Sequence, residues 1–151
     1  MSGETRKSRF FLAEDNLGDV YLIKEALRVN NYDFEIERCE DGESSIRRLS
    51  RFAASDVPDL IIIDLNMPRI GGLEVLRYVR SSPVLAKVPV VILTSSRSPH
   101  DRMEAERLGA NAFISKPPTL NEFLSLVGSG IRSVLPARPG NPSPSGRRRP
   151  L

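Results

Sequence analysis

A chain of 151 residues, 40% of them apolar and 27% charged, has the length and balance of one globular domain with a substantial core. The net charge of +3 is uneven: residues 136–151 hold Arg138, Arg147, Arg148 and Arg149 with no acid, so +4 sits there and −1 on the rest. The basicity is therefore not a property of the folded surface and gives no reason to expect specific nucleic-acid binding. A single cysteine, Cys39, excludes an internal disulfide and a cysteine-built metal centre, and reads as a small packed hydrophobe.

Residues Met1–Arg9 are polar and basic, without the apolar segment of a secretory leader. No later apolar run approaches the ~20 residues that cross a bilayer. The expectation is a cytoplasmic protein with no membrane partner.

The first predicted strand is "RFFLA" (9–13), and the stretch 17–29 follows with helical spacing: Val20, Ile23 and Leu27 share one face. Asn16 can cap that helix, with Asp19 three residues on. Further strands are predicted at "FEIERC" (34–39), "DLIIID" (59–64), "VPVVIL" (88–93) and "NAFIS" (111–115). Ser98-Pro99 supplies a cap and a first-turn proline, and Gly109 supplies a stop. Thr119 and Glu122 have the spacing of a capping box for the last helix. Five strands alternating with five helices predict an α/β fold, a parallel sheet covered on both faces. The third and fourth strands, uniformly apolar, belong at its centre. From 136 to 151, five prolines, two glycines and three consecutive arginines predict a disordered tail, and no second domain is expected after 135.

In such sheets ligands bind outside the carboxyl ends of the strands. Those ends carry Glu14 and Asp15, then Asp64, then Thr94 and Ser95, then Lys116. Taken singly, Asp15 could cap a helix, Asp64 could end a strand, and Lys116 could be a solvated charge. Together they put three carboxylates beside one ammonium. Two like charges ~4 Å apart repel by about 4 kcal/mol at an effective dielectric of ~20, so the cluster calls for a cation. An all-oxygen donor set suits Mg2+. A carboxylate at that mouth can attack phosphorus and form an acyl phosphate, with the lysine and hydroxyl stabilising the transferring oxygens.

The pieces "AEDN" (13–16), "DLNMP" (64–68), "LTSS" (93–96) and "SKPP" (115–118), in this order and spacing, resemble the receiver domains of two-component response regulators across residues 8–135. The opening "EDN…DVYLIKEAL" is most similar to stand-alone receivers that serve phytochrome-type kinases. The resemblance implies a doubly wound (βα)5, flavodoxin-like sheet in the order 2-1-3-4-5. It implies Asp64 as phosphoacceptor, and Mg2+ or Mn2+ held by Glu14, Asp15, Asp64 and the backbone carbonyl of Asn66. Lys116 would pair with the phosphoryl oxygens, Thr94 would move to them, and Phe113 would swing inward behind Thr94. Asn66 and Ser96 would set the lifetime of the phosphoform. The Lys116–Pro117 bond is expected cis and Pro117–Pro118 trans. Gly71-Gly72 departs from the Asp-Gly of many relatives and should alter the loop more than the chemistry.

The implied partners are a sensor histidine kinase, of the phytochrome type by the resemblance of the opening, a downstream protein target or phosphotransfer protein, and a second copy docked through residues 99–134. A flavodoxin-like cofactor binder is disfavoured because "AEDNLGD" (13–19) would repel a phosphate. A haloacid-dehalogenase-type phosphatase would need an acid where Asn66 stands. A receiver-fold module that works without phosphorylation stays open as the alternative, although the acceptor, acids and lysine are all present.

Overall fold

The structure, a computed structural model, describes residues 6–137. Five parallel strands, β1 (Ser8–Ala13), β2 (Phe34–Cys39), β3 (Leu60–Ile63), β4 (Val90–Thr94) and β5 (Ala112–Ser115), form one sheet in the order β2-β1-β3-β4-β5. This is the predicted doubly wound topology. The connecting helices are α1 (Leu17–Val29), α2 (Gly42–Leu49), α3 (Gly72–Ser81), α4 (Pro99–Arg107) and α5 (Leu120–Val134), with a short 3-10 turn at Ala54–Asp56.

Strand alternation divides the core in two. Phe11, Ala13, Ile61, Ile63, Val90 and Ile92 pack beneath α2, α3 and α4 through Leu49, Val75, Leu76, Val79 and Ala105. Phe10, Leu12, Leu60, Ile62, Val91 and Leu93 meet α1 and α5 through Ile23, Leu27, Phe123, Val127 and Ile131. Every residue of β3 and β4 is buried, as their unbroken apolar sequence requires. Each fully buried branched side chain contributes roughly 1.5–3 kcal/mol, so these two strands contribute heavily to fold stability.

Caps fall where the sequence puts them. The Asn16 side chain accepts from the Asp19 N–H at 2.8 Å, Ser98 caps α4 through the Asp101 N–H, and Thr119 caps α5 through the Glu122 N–H. Gly109 ends α4 with φ of +100°, a left-handed conformation that favours glycine. The α4 helix is otherwise thinly attached: Ala105 is its one buried residue, while Met103 faces outward.

The base of β4 and β5 is fastened by Arg80 at the end of α3. Its guanidinium donates to the carbonyls of Ala86, Val88 and Gly109 and to Asn111 Oδ1, at 2.8–3.1 Å. Asn111 Oδ1 also accepts from the Val90 N–H at 2.8 Å.

Two expectations need correction or limitation. All peptide bonds among the described residues are trans, so Pro117–Pro118 is as expected but the cis Lys116–Pro117 bond is not found. The Lys116 N–H stays in strand register on the Thr94 carbonyl at 2.8 Å, and the four-carbon side chain spans the remaining distance unaided. Of the predicted tail only Pro136 and Ala137 are described, and Ala137 lies against the α1–α5 core; the rest of that expectation, residues 138–151, lies outside the described residues.

Candidate functional site

The carboxyl ends of β1, β3, β4 and β5 bring Glu14, Asp15, Asp64, Thr94 and Lys116 to one edge, as the sequence pattern requires. Glu14 and Asp64 are buried and Asp15 is exposed. Glu14, Asp15 and Asp64 each offer a carboxylate oxygen within 4.8 Å of the others. Lys116 Nζ, on a side chain only 11% exposed, donates to Glu14 Oε1 at 3.0 Å and to Asp64 Oδ2 at 3.2 Å.

A fourth acid completes this pole. Asp19 Oδ2 accepts from Lys116 Nζ at 2.7 Å, the shortest of the three contacts. The sequence reading gave Asp19 only a place in the first turn of α1; that turn lies over the ligand edge, and this was the available signal. Arg38 was also missed. At the end of β2, its Nε donates to the Glu14 carbonyl at 2.8 Å and its Nη2 to the Asp15 carbonyl at 3.1 Å, securing the backbone that presents both acids. The edge argument, extended to the second strand, would have found it.

Burial, and then the nearby Asp64 charge, push the Glu14 carboxyl up to about 7 even though Lys116 pulls it back. Burial alone would lower the Lys116 ammonium. The hydrogen bond it donates to Asp19 and the charges of Glu14 and Asp64 outweigh that and hold it above its ordinary range. One lysine therefore does not offset the acids. An all-carboxylate donor set with this residual repulsion fits a hard divalent cation.

On the other side of the site, Thr94 itself has only neutral partners. Thr94 is fully buried, and its hydroxyl accepts from the Ser96 N–H at 3.2 Å and from Asn66 Nδ2 at 3.4 Å. The Asn66 N–H turns back to Asp64 Oδ1 at 3.1 Å. The Ser96 hydroxyl donates to Asp101 Oδ2 at 2.6 Å and so belongs to the start of α4. Phe113, on β5, is half-buried against the α3–α4 core, and the Arg102 guanidinium carbon lies 5.0 Å from its ring centroid.

The loop after Asp64 explains the glycine pair. Arg69 adopts φ of +70° there and pairs with Asp41 and Glu43. A Cβ at Gly72 would collide with the Asp64 carbonyl and Leu65 Cα, so the second glycine is required by close approach. Gly71 is less constrained.

A five-stranded parallel sheet in this order, with acids, hydroxyl and lysine at the carboxyl edge, defines the class of the molecule: a flavodoxin-like signalling module of the chemotaxis-receiver type. The chain belongs to the response regulator receiver domain family, whose model matches residues 10–128. It is 32% identical over 137 residues to response regulator Rcp1 of Synechocystis sp., covering 88% of this chain and 92% of that one. The crystal structure of the phosphorylated cyanobacterial phytochrome response regulator RcpA is similar with a TM-score of 0.78 at 33% identity, covering 86% of this chain and 95% of that chain. The Mn(2+)-bound form of Rcp1 is similar with a TM-score of 0.76 at 29% identity, over 90% of this chain and 99% of that one. No helix among the described residues is long and apolar enough to cross a membrane.

Proposed function

We propose that Asp64 is the phosphoacceptor of a two-component pathway. One Asp64 carboxylate oxygen attacks the phosphorus of a phosphohistidine on a sensor kinase or phosphotransfer protein. A P–O bond forms, the P–N bond breaks, and the leaving imidazole takes up a proton. The observation that carries this reading is the Lys116 ammonium, 3.2 Å from Asp64 Oδ2 at the mouth formed by Glu14 and Asp15. Once an acceptor oxygen is esterified, the same ammonium serves the phosphoryl oxygens.

Glu14, Asp15 and Asp64, with the Asn66 carbonyl, would hold Mg2+, or Mn2+ in its place. When bound, the cation offsets charge on the transferring group. The protein promotes only its own phosphorylation and dephosphorylation. The Thr94 hydroxyl, held by neutral contacts, turns to the phosphoryl group, and Phe113 moves inward behind it. Asn66 and Ser96 flank the approach of hydrolytic water and set the lifetime; bulky residues at both positions slow the decay of the phosphoform.

The donor is a phytochrome-type histidine kinase in the cytoplasm, a reading supported by the similarity to RcpA and Rcp1. The signal passes on by protein contact, to a downstream target or phosphotransfer protein. Exposed Met103, Leu120 and Leu126 support self-association through 99–134, to be checked by light scattering with and without phosphorylation.

Acetyl phosphate with Mg2+ is expected to add one phosphoryl group to the wild type and none at the acceptor of Asp64→Asn. Equal labelling of both, or labelling indifferent to a chelator, overturns the assignment.

A further inference from the structure

We infer that Asp19 is a positioning residue that aims the Lys116 ammonium at the acceptor. This rests on the phosphoacceptor reading of Asp64. An ammonium has three N–H donors, and here they are matched by three acceptors: Asp19 Oδ2 at 2.7 Å, Glu14 Oε1 at 3.0 Å and Asp64 Oδ2 at 3.2 Å. The lysine side chain is nearly excluded from solvent, 11% exposed against 25% for Asp19.

The three acceptors differ in what else they must do. Glu14 and Asp64 belong to the carboxylate group suited to a cation, and Asp19 does not. A cation drawn to that group competes with the lysine for Glu14 and Asp64 and leaves Asp19 as its undivided anchor. Asp64 also changes partner during transfer, when its N–H contact passes to the incoming phosphoryl oxygens. Asp19 alone can hold the ammonium throughout.

Its placement suits that role. Asp19 is the third residue of α1, and its N–H is fixed by the Asn16 side chain at 2.8 Å. The carboxylate therefore projects from a capped helix end, a rigid element independent of the sheet edge that carries the other two acids. Misplacement of a group that must meet the transferring oxygens by about 1 Å can cost up to ~10²-fold in rate.

The test measures phosphorylation by acetyl phosphate at saturating Mg2+ in the wild type and in Asp19→Ala, Asp19→Ser and Asp19→Asn. Ala has no acceptor and the Ser side chain is too short to reach Nζ; having both keeps the test valid if one folds poorly, which circular dichroism reports. Both are expected to be labelled about ten-fold more slowly than wild type. Asp19→Asn, whose amide oxygen occupies the same place, is expected to restore most of the rate. Wild-type rates in Ala and Ser, or an Asn variant as slow as Ala, would overturn the inference. Equal labelling of wild type and Asp64→Asn would instead remove the phosphoacceptor reading itself, so the two failures are distinguishable.

Discussion

The two halves of the ligand edge are built to opposite specifications. On the β1–β3–β5 side, Lys116 is clamped by three carboxylates at 2.7–3.2 Å, and Arg38 pins the backbone that presents Glu14 and Asp15. These charge-assisted bonds are about twice as strong as neutral ones. On the β4–α4 side, Thr94 has neutral contacts of 3.2–3.4 Å, and α4 has one buried residue. The contrast separates two tasks. Under the proposed function, the groups that would hold the acceptor are over-bonded, and the group that would respond to it is held by weaker contacts.

The sharpest way to break this comparison is to remove its anchor. Lys116→Ala leaves Glu14, Asp19 and Asp64 without a cation, and in chelator at pH 8 it should lower unfolding stability by about 3 kcal/mol. Adding a divalent cation should recover part of the loss. A urea midpoint unchanged from wild type would mean that the clamp contributes nothing to the fold.

A smaller effect separates the charged pole from its surroundings by pH. The Glu14 carboxyl ionises near 7 in the folded chain against an ordinary 4.5. Between those values the folded state binds more protons than the unfolded state. The Glu14 contribution is thus full below about pH 4.5 and is lost as pH rises through about 7. Glu14→Gln, which cannot ionise, should gain on the wild type between pH 5 and pH 8 by on the order of 2 kcal/mol in chelator. Parallel urea-denaturation profiles for the two proteins would refute this.

On the β4–α4 side the expected change is smallest. Arg102→Ala removes the cation from the face of Phe113 and should cost about 0.5 kcal/mol, the scale of an exposed cation–π contact. A loss near 3 kcal/mol would show that this side is as tightly built as the other.

The alternation of strands with helices and the acid edge were legible because both follow from local pattern, whereas the strand order came from the resemblance to receiver domains. Apolar runs at 59–64 and 88–93 demanded burial on two sides, and Asn16, Ser98 and Thr119 announced their helices by hydrogen-bonding chemistry confined to three residues. Asp19 and Arg38 were not legible in the same way. Their roles arise from partners 97 and 23–24 residues away, contacts that exist only once α1 and β2 are docked on the sheet. The Lys116–Pro117 bond failed for a related reason: the family pattern suggested a turn, but the strand hydrogen bond to Thr94 and the reach of one lysine side chain made it unnecessary.

The Arg80 fastening gives the β4–α4 side a mechanical character. Four acceptors on one guanidinium bolt the lower ends of β4 and β5 to α3, while their upper ends meet Thr94 and the loop into α4. A beam fixed at one end deflects most at the other. If Thr94 moves on phosphorylation, as proposed, this fastening favours movement of residues 95–103, where α4 has one buried residue, over movement down the sheet. Arg80 touches neither acid nor lysine, yet under the proposed function it would be the fixed point against which a movement at the site acts.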